Sequence, residues 1–300
     1  MISLSRRRLL SATAVASSAL MFRHAMANHI SKDDLHSHLE ALERAAGGRL
    51  GVSIMDVDSG RRLAHRGDER FPMCSTFKWI AAALVLVRVD RGEERLDRRI
   101  AILKSELVPY SPATEKHVGG DGMSMAELCQ AAVTLSDNAA ANLILANVGG
   151  PSGFTRFVRS VGDTVTRLDR IEPDMSEGTP SDPRDTTSPI AMLETLRKLV
   201  LGDTLSMQSR GQLTAWLVAN TTGNNALRAG LPTSWRIGDK TGSSSDGISN
   251  DVAIAWPTRG GPLLIAVYYA ESSGDAKARG AVLAEVGRIA ATFLVNSAAR

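Results

Sequence analysis

The segment Phe77–Val89 is apolar almost all round the helix it would form, and no other stretch constrains the fold so tightly. A helix without a polar face has no solvent side, so other elements must wrap it. Lys78 enters this run at its second position, three residues after Ser75. On a helix that spacing puts both side chains on one face, within reach of each other. Burial lowers the pKa of a lysine, which is the condition for it to act as a base. A serine hydroxyl needs a neighbour to take its proton before it can attack. No histidine here sits in a serine-hydrolase context, so the base for Ser75 is Lys78 or a carboxylate.

Composition matters mainly through its distribution. The chain has 300 residues and 43% hydrophobic content, enough for about two domains. Its net charge of +3 resides at the N-terminus. Without Arg6, Arg7, Arg8 and Arg23 the basic residues fall from 35 to 31 against 32 acidic ones, a net charge of −1. The remainder has no basic surplus to attract nucleic acid. Residues 1–27 read as an export signal. Ser5-Arg-Arg-Arg-Leu-Leu10 carries paired arginines of twin-arginine type, Leu9 to Phe22 is apolar, and Ala25-Met-Ala27 offers a cleavage site. The apolar stretch is shorter than the roughly 20 residues that span a bilayer, and no cysteine follows it to carry a lipid. The expectation is a soluble periplasmic or secreted monomer with no stable membrane anchor.

Ser31 to Ala46 has the spacing of a helix closed by Gly47-Gly48. Leu50 to Gly60 alternates and turns at Asp58-Ser-Gly60, and Arg61 to His65 returns as a second strand. Ser75-Thr76 suits the N-terminus of the apolar helix. Helical patterns dominate from Ala101 to Leu217, with Met125–Leu135 and Ala139–Val148 the clearest. Gly149-Gly-Pro-Ser-Gly153 reads as a turn. Arg167 to Pro189 holds four prolines and few apolar residues, the mark of a functional loop. Trp235–Thr241, Asp251–Trp256 and Leu263–Tyr269 are strands, with Gly260-Gly261 between the last two, and Ala276–Val295 is a closing helix. Both chain ends can therefore share one sheet around a helical block. The expected domains are an α/β unit from residues 28–66 and 219–300, and an all-α unit from 67–218 that includes the 167–189 loop.

Four short motifs carry possible chemistry. Ser75-x-x-Lys78 alone is weak, because this composition gives about one such match by chance. Ser136-Asp137-Asn138 alone is a good helix cap. Lys240-Thr241-Gly242-Ser243 alone is a strand ending in a turn, and Glu172 alone is a loop carboxylate. His36-Ser-His38 lies on a polar helix and does not read as a metal pair. Gly149 to Gly153 lacks the lysine of a phosphate loop.

Taken together and in order, Ser-x-x-Lys, Ser-Asp-Asn and Lys-Thr-Gly occur in class A β-lactamases and penicillin-binding proteins. The chain resembles a class A serine β-lactamase over nearly its whole length after the signal. Tyr110-Ser-Pro-Ala-Thr-Glu-Lys-His117, Arg167-Leu-Asp-Arg-Ile-Glu-Pro173, Asp182-Pro-Arg-Asp-Thr-Thr187 and Arg228-Ala-Gly-Leu-Pro232 extend the match. The resemblance implies an antiparallel sheet flanked by helices with a central helical domain, and a β-lactam substrate opened without metal or cofactor. It implies that Ser75 forms an acyl-enzyme, with Lys78, or Glu172 through a water, as its base. The backbone N–H groups of Ser75 and Ser243 would make the oxyanion hole. Ser136 would protonate the leaving nitrogen, and Glu172 would activate the deacylating water. Asn138, Lys240, Thr241, Gly242, Ser243 and Ser176 would contact substrate, and Tyr110 would wall the cleft. Asp137 would be structural. Arg170 and Asp185 would bridge the loop neck, and the Glu172–Pro173 bond would be cis.

The sequence also departs from the family pattern. Ser176 stands where an asparagine usually helps to hold the water. Cys74 and Cys129 could form one disulfide after export or stay as buried thiols. The family's pairings instead join a Cys74 equivalent to the position of Ser244, or a Cys129 equivalent to that of Ala82. Each cysteine here lacks that partner, so two free thiols are expected. Ser249 stands near the place of an arginine that opposes the substrate carboxylate, and Arg228 or Arg279 could replace it. Ser243 favours cephalosporins alongside penicillins, while carbapenems stay open. The rivals are a D-alanyl-D-alanine peptidase and a penicillin-sensing domain. Both would lack the Glu172 loop.

Overall fold

The apolar run becomes a helix, Phe77–Asp90, whose residues from Phe77 to Val87 are all buried. The structure, a computed structural model, describes residues 32–176 and 181–298. The export signal expected over 1–27 lies outside the described residues. In chain order the elements are α1 (Lys32–Ala46), β1 (Arg49–Asp56), β2 (Arg62–His65), β3 (Phe71–Pro72), α2 (Phe77–Asp90), β4 (Arg99–Ile100) and β5 (Met123–Ser124). Then come α3 (Met125–Thr134), α4 (Asn138–Asn147), α5 (Gly150–Ser160), β6 (Thr186–Thr187), α6 (Pro189–Val200), α7 (Met207–Val218) and α8 (Leu227–Gly230). The chain closes with β7 (Arg236–Ser244), β8 (Ile248–Trp256), β9 (Leu263–Ala270) and α9 (Ala276–Ala298).

Five strands form one antiparallel sheet in the order β2-β1-β9-β8-β7. The two chain ends meet where β1 pairs β9, with Val52 opposite Val267. β9 is buried along its whole length, which requires cover on both faces. Helices α1, α6 and α9 supply contacts to this sheet. The helical block is built around α2, which touches α3, α4, α5 and α7. Burying each large apolar side chain of α2 is worth about 2 kcal/mol, and that gain keeps a polar intruder such as Lys78 inside.

The longer strands and helices fall where expected, but the stretch from Ala101 holds no α-helix before Met125, and the span 67–218, expected to be all-α, contains the two-residue strands β3–β6. Two further corrections concern glycines and a hairpin. Gly149–Gly153 is not a free turn. Gly149, at φ 89°, caps α5, which begins at Gly150 with Pro151 in its first turn. A proline there loses no hydrogen bond, and a Cβ at Gly153 would lie 2.1 Å from the Val148 carbonyl oxygen. The sequence signal was hidden because the apolar spacing of Phe154, Phe157 and Val158 starts only after the glycines. Strands β7 and β8 also run further towards their hairpin than expected. Ser243 pairs with Ser249, and these small polar residues carry no alternation to mark them.

Candidate active site

The approach to Ser75 is held from both sides. β3 pairs with β6, and the Met73 N–H donates to the Asp185 carbonyl at 2.9 Å. Cys74 then adopts φ 44°, and Cys74–Thr76 make a 3₁₀ turn ahead of α2. A non-glycine residue at positive φ costs about 1 kcal/mol or more and persists only where its surroundings enforce it. Tyr110 and Ser136, which also line the cleft, share this conformation at φ 64° and 60°. The expected capping role of Ser75-Thr76 is not taken up. Thr76 Oγ1 donates back to the Met73 carbonyl, and the Ser75 hydroxyl points elsewhere.

It points at Glu172, donating to Oε1 at 3.1 Å. The same oxygen lies 3.0 Å from Lys78 Nζ. Lys78 also donates to the Ser136 carbonyl at 2.8 Å and to Asn138 Oδ1 at 2.5 Å. Burial pushes the Lys78 pKa down, and the Glu172 carboxylate opposes that shift. An unpaired ammonium here would cost several kcal/mol. Three oxygens surround Nζ within 3.0 Å.

Ser136-Asp137-Asn138 does more than cap a helix. Asp137 is fully buried and accepts from Ala140 N at 2.8 Å, Ala113 N at 2.9 Å and Thr114 N at 3.0 Å. These bonds tie the residues after Tyr110 to the start of α4. Asn138 Nδ2 donates to the Pro109 carbonyl at 2.8 Å. Across the cleft, Lys240 Nζ donates to Ser136 Oγ at 3.0 Å and to the Thr241 carbonyl at 2.7 Å. Burial, reinforced by the charge of Lys78, brings the Lys240 pKa down to about 7. Gly242 lets β7 approach the nucleophile turn: a Cβ there would lie 2.7 Å from the Met73 carbonyl oxygen and 3.1 Å from Ser75 N.

Glu172 is only 2% exposed although it sits on a loop. Two residues explain this. Asn142 on α4 clamps its backbone from both ends, donating to the Glu172 carbonyl at 2.8 Å and accepting from its N–H at 3.0 Å. Asp185 closes the loop neck, accepting from Arg170 Nε at 2.6 Å, Asp169 N at 2.7 Å and Arg170 N at 3.0 Å. Ser176 Oγ donates to Glu172 Oε2 at 3.1 Å. The Glu172–Pro173 bond is cis. Asn142 was missed by sequence reasoning. Its signal was its place one turn after Asn138, on the same face of α4.

These side chains line a cleft of about 370 Å³, with Ser75, Tyr110, Ser136, Asn138, Glu172, Ser176, Thr241, Gly242 and Ser243 in its wall. Thr222, a second residue not anticipated, also lines it, with its hydroxyl 2.5 Å from that of Thr241. The two candidate arginines separate clearly. Arg228 is committed to Asp239 and to the carbonyls of Leu217 and Val218. Arg279 donates to Ser249 Oγ at 3.0 Å, beside the cleft. Cys74 and Cys129 are both buried and unbonded, and burial pushes both thiols well above their ordinary range.

The structure brings a serine hydroxyl, a buried carboxylate and two buried lysines to one cleft, an arrangement compatible with an active-site-serine hydrolase. Comparison with known proteins makes the class specific. The chain belongs to the beta-lactamase enzyme family, whose model matches residues 34–294, and it is a class A serine β-lactamase. It is 48% identical over 259 residues to beta-lactamase OXY-2 of Klebsiella oxytoca, covering 86% of this chain and 89% of that protein. It is 45% identical over 284 residues to beta-lactamase Toho-1 of Escherichia coli, covering 95% and 96%. Among solved structures it is similar to an ancestral (GNCA) class A β-lactamase. The two share 60% identity and a TM-score of 0.84, over 88% of this chain and 99% of that one.

Proposed function

We propose that Ser75 is the nucleophile and that Glu172 serves as base in both halves of β-lactam hydrolysis. The hydrogen bond from Ser75 Oγ to Glu172 Oε1, at 3.1 Å, carries this reading. Lys78 Nζ lies within 3.0 Å of Glu172 Oε1, the Ser136 carbonyl and Asn138 Oδ1, and a lysine held among three acceptors is poorly placed to receive the serine proton. Its role is to orient Glu172 and to hold the nucleophile turn in place. Ser75 Oγ attacks the lactam carbonyl as its proton passes to Glu172. The N–H groups of Ser75 and Ser243 receive the oxyanion, at about 3–4 kcal/mol each. Ser136 gives its proton to the departing nitrogen as the C–N bond breaks, and Lys240 beside it restores that proton. Glu172 releases its proton to solvent while Lys240 regains one; as a carboxylate again it deprotonates a water that attacks the ester carbonyl, and that proton passes to Ser75 Oγ as the C–O bond breaks.

Substrates are penicillins and cephalosporins. Lys240, Thr241, Ser243 and Arg279 face the substrate carboxylate. Asn138 keeps one amide hydrogen for the acyl side-chain carbonyl, and Tyr110 walls the cleft. Ser176 is shorter than the asparagine usual at its position, which leaves room for bulkier acyl groups and keeps extended-spectrum cephalosporins and carbapenems as substrates to test. The loop that carries Glu172 favours hydrolysis over the peptidase and sensor alternatives, because a stable acyl-enzyme needs no such base. We further infer export by the twin-arginine route, function as a monomer, and a division into an α/β domain (28–66 and 219–300) and an all-α domain (67–218). Hydrolysis rates for a penicillin, an oxyimino-cephalosporin, a monobactam and a carbapenem test the spectrum. Measurable turnover of the first two is expected, and its absence contradicts the reading.

A further inference from the structure

A second cavity, of about 390 Å³, shares no lining residue with the catalytic cleft. Its wall holds four arginines, Arg70, Arg156, Arg159 and Arg167, with Thr155 and Asp169 among the rest. Among the described residues only Arg167 has a carboxylate partner there, bonding Asp169 through both Nε and Nη2. Arg70 donates to the Val165 carbonyl at 2.9 Å and to Thr186 Oγ1 at 3.0 Å. Arg159 donates to the carbonyls of Asp163 and Thr166, each at 2.6 Å. Among the described residues Arg156 makes no ion pair; its guanidinium folds towards the Gly149 turn.

Neutral acceptors fix a guanidinium in place without cancelling its charge. The wall therefore carries four cations against one carboxylate, on a chain whose net charge after the signal is −1. That concentration of charge is local, and hydrogen bonds hold Arg70, Arg159 and Arg167 in place. Planar guanidinium forks match the oxygens of phosphate two at a time, with charge-assisted hydrogen bonds. We propose that this cavity is a binding site for a multivalent phosphate-type oxyanion. The phosphate arrives either as a free polyanion or as an anionic lipid headgroup, and both present the same chemistry to the wall. The site lies against residues 167–169, the leg of the loop that leads to Glu172.

The test uses the exported protein and does not depend on the catalytic assignment. Arginine side-chain N–H resonances are followed while pyrophosphate is added at constant ionic strength, with sodium chloride as reference. In parallel, co-sedimentation compares phosphatidylglycerol with phosphatidylcholine vesicles. Arg156→Ala and Arg156→Glu are the variants, since Arg156 is exposed and makes no ion pair among the described residues. Saturable shifts with pyrophosphate, weakened about tenfold in Arg156→Ala with nitrocefin turnover unchanged, support a free polyanion. Capture on phosphatidylglycerol that Arg156→Glu abolishes, without saturation by pyrophosphate, supports a headgroup. Shifts that track ionic strength alone, with vesicle binding indifferent to both variants, overturn the proposal. So does pyrophosphate affinity unchanged in both variants.

Discussion

Lys78 Nζ and Glu172 Oε1 lie 3.0 Å apart with both side chains buried, 94 positions apart in a chain that brings them together beside Ser75. The helix carrying Lys78 supplies a cation that could not stay there alone. The loop carrying Glu172 supplies its counter-charge. Each partner makes the burial of the other tolerable.

Ser75→Ala removes the attacking oxygen while leaving Lys78 paired with Glu172. Nitrocefin turnover should fall by about 10³-fold or more, with an unchanged urea midpoint. Retained turnover would show that another group attacks.

Asn142→Ala leaves every atom that touches substrate in place but releases both ends of the Glu172 peptide. Two lost hydrogen bonds cost about 1–3 kcal/mol of stability. Rapid-quench kinetics should show deacylation slowed more than acylation. An equal loss in both steps would make Asn142 merely structural.

Lys240 titrates near pH 7 because burial and the neighbouring Lys78 disfavour its charge. Below that pH it is an ammonium that attracts the substrate carboxylate, and above it the attraction is lost. In steady-state kinetics, kcat/KM should therefore decline as pH rises from 7 to 9, and Lys240→Arg should flatten that decline. A wild-type profile flat to pH 9 would rule out this titration.

Cys74 and Cys129 sit in separate buried positions with thiols held protonated. Thiol titration should find none reactive in the native protein, and two after denaturation without reductant. A count of zero after denaturation means a disulfide that the fold does not contain.

Much of this was legible in the sequence, for identifiable reasons. The apolar run from Phe77 marked a wrapped helix, and the alternation around Val52 and the short apolar run around Val267 marked the strands that join the chain ends. Ser75, Lys78, Ser136 and Lys240 were found through short motifs, because their chemistry demands fixed spacing on one helix or strand. Asn142 carries only its place one turn after Asn138 on α4, and Thr222 belongs to no such pattern. They act by contacts 30 and 19 residues away along the chain, which only the folded backbone specifies. The choice between Arg228 and Arg279 was likewise invisible, since it depends on Asp239 claiming the first. Glu172 was legible as a candidate base, but its burial was not. That burial follows from Asn142 and Asp185 acting together on one loop.

The central claim is that Glu172 breaks the ester that Ser75 makes. Intact-mass measurement of Glu172→Gln after mixing with benzylpenicillin tests it most directly. A mass increase equal to one penicillin, persisting for minutes while the parent enzyme shows none, is the predicted result. Clearance of the adduct as fast as in the parent would contradict it.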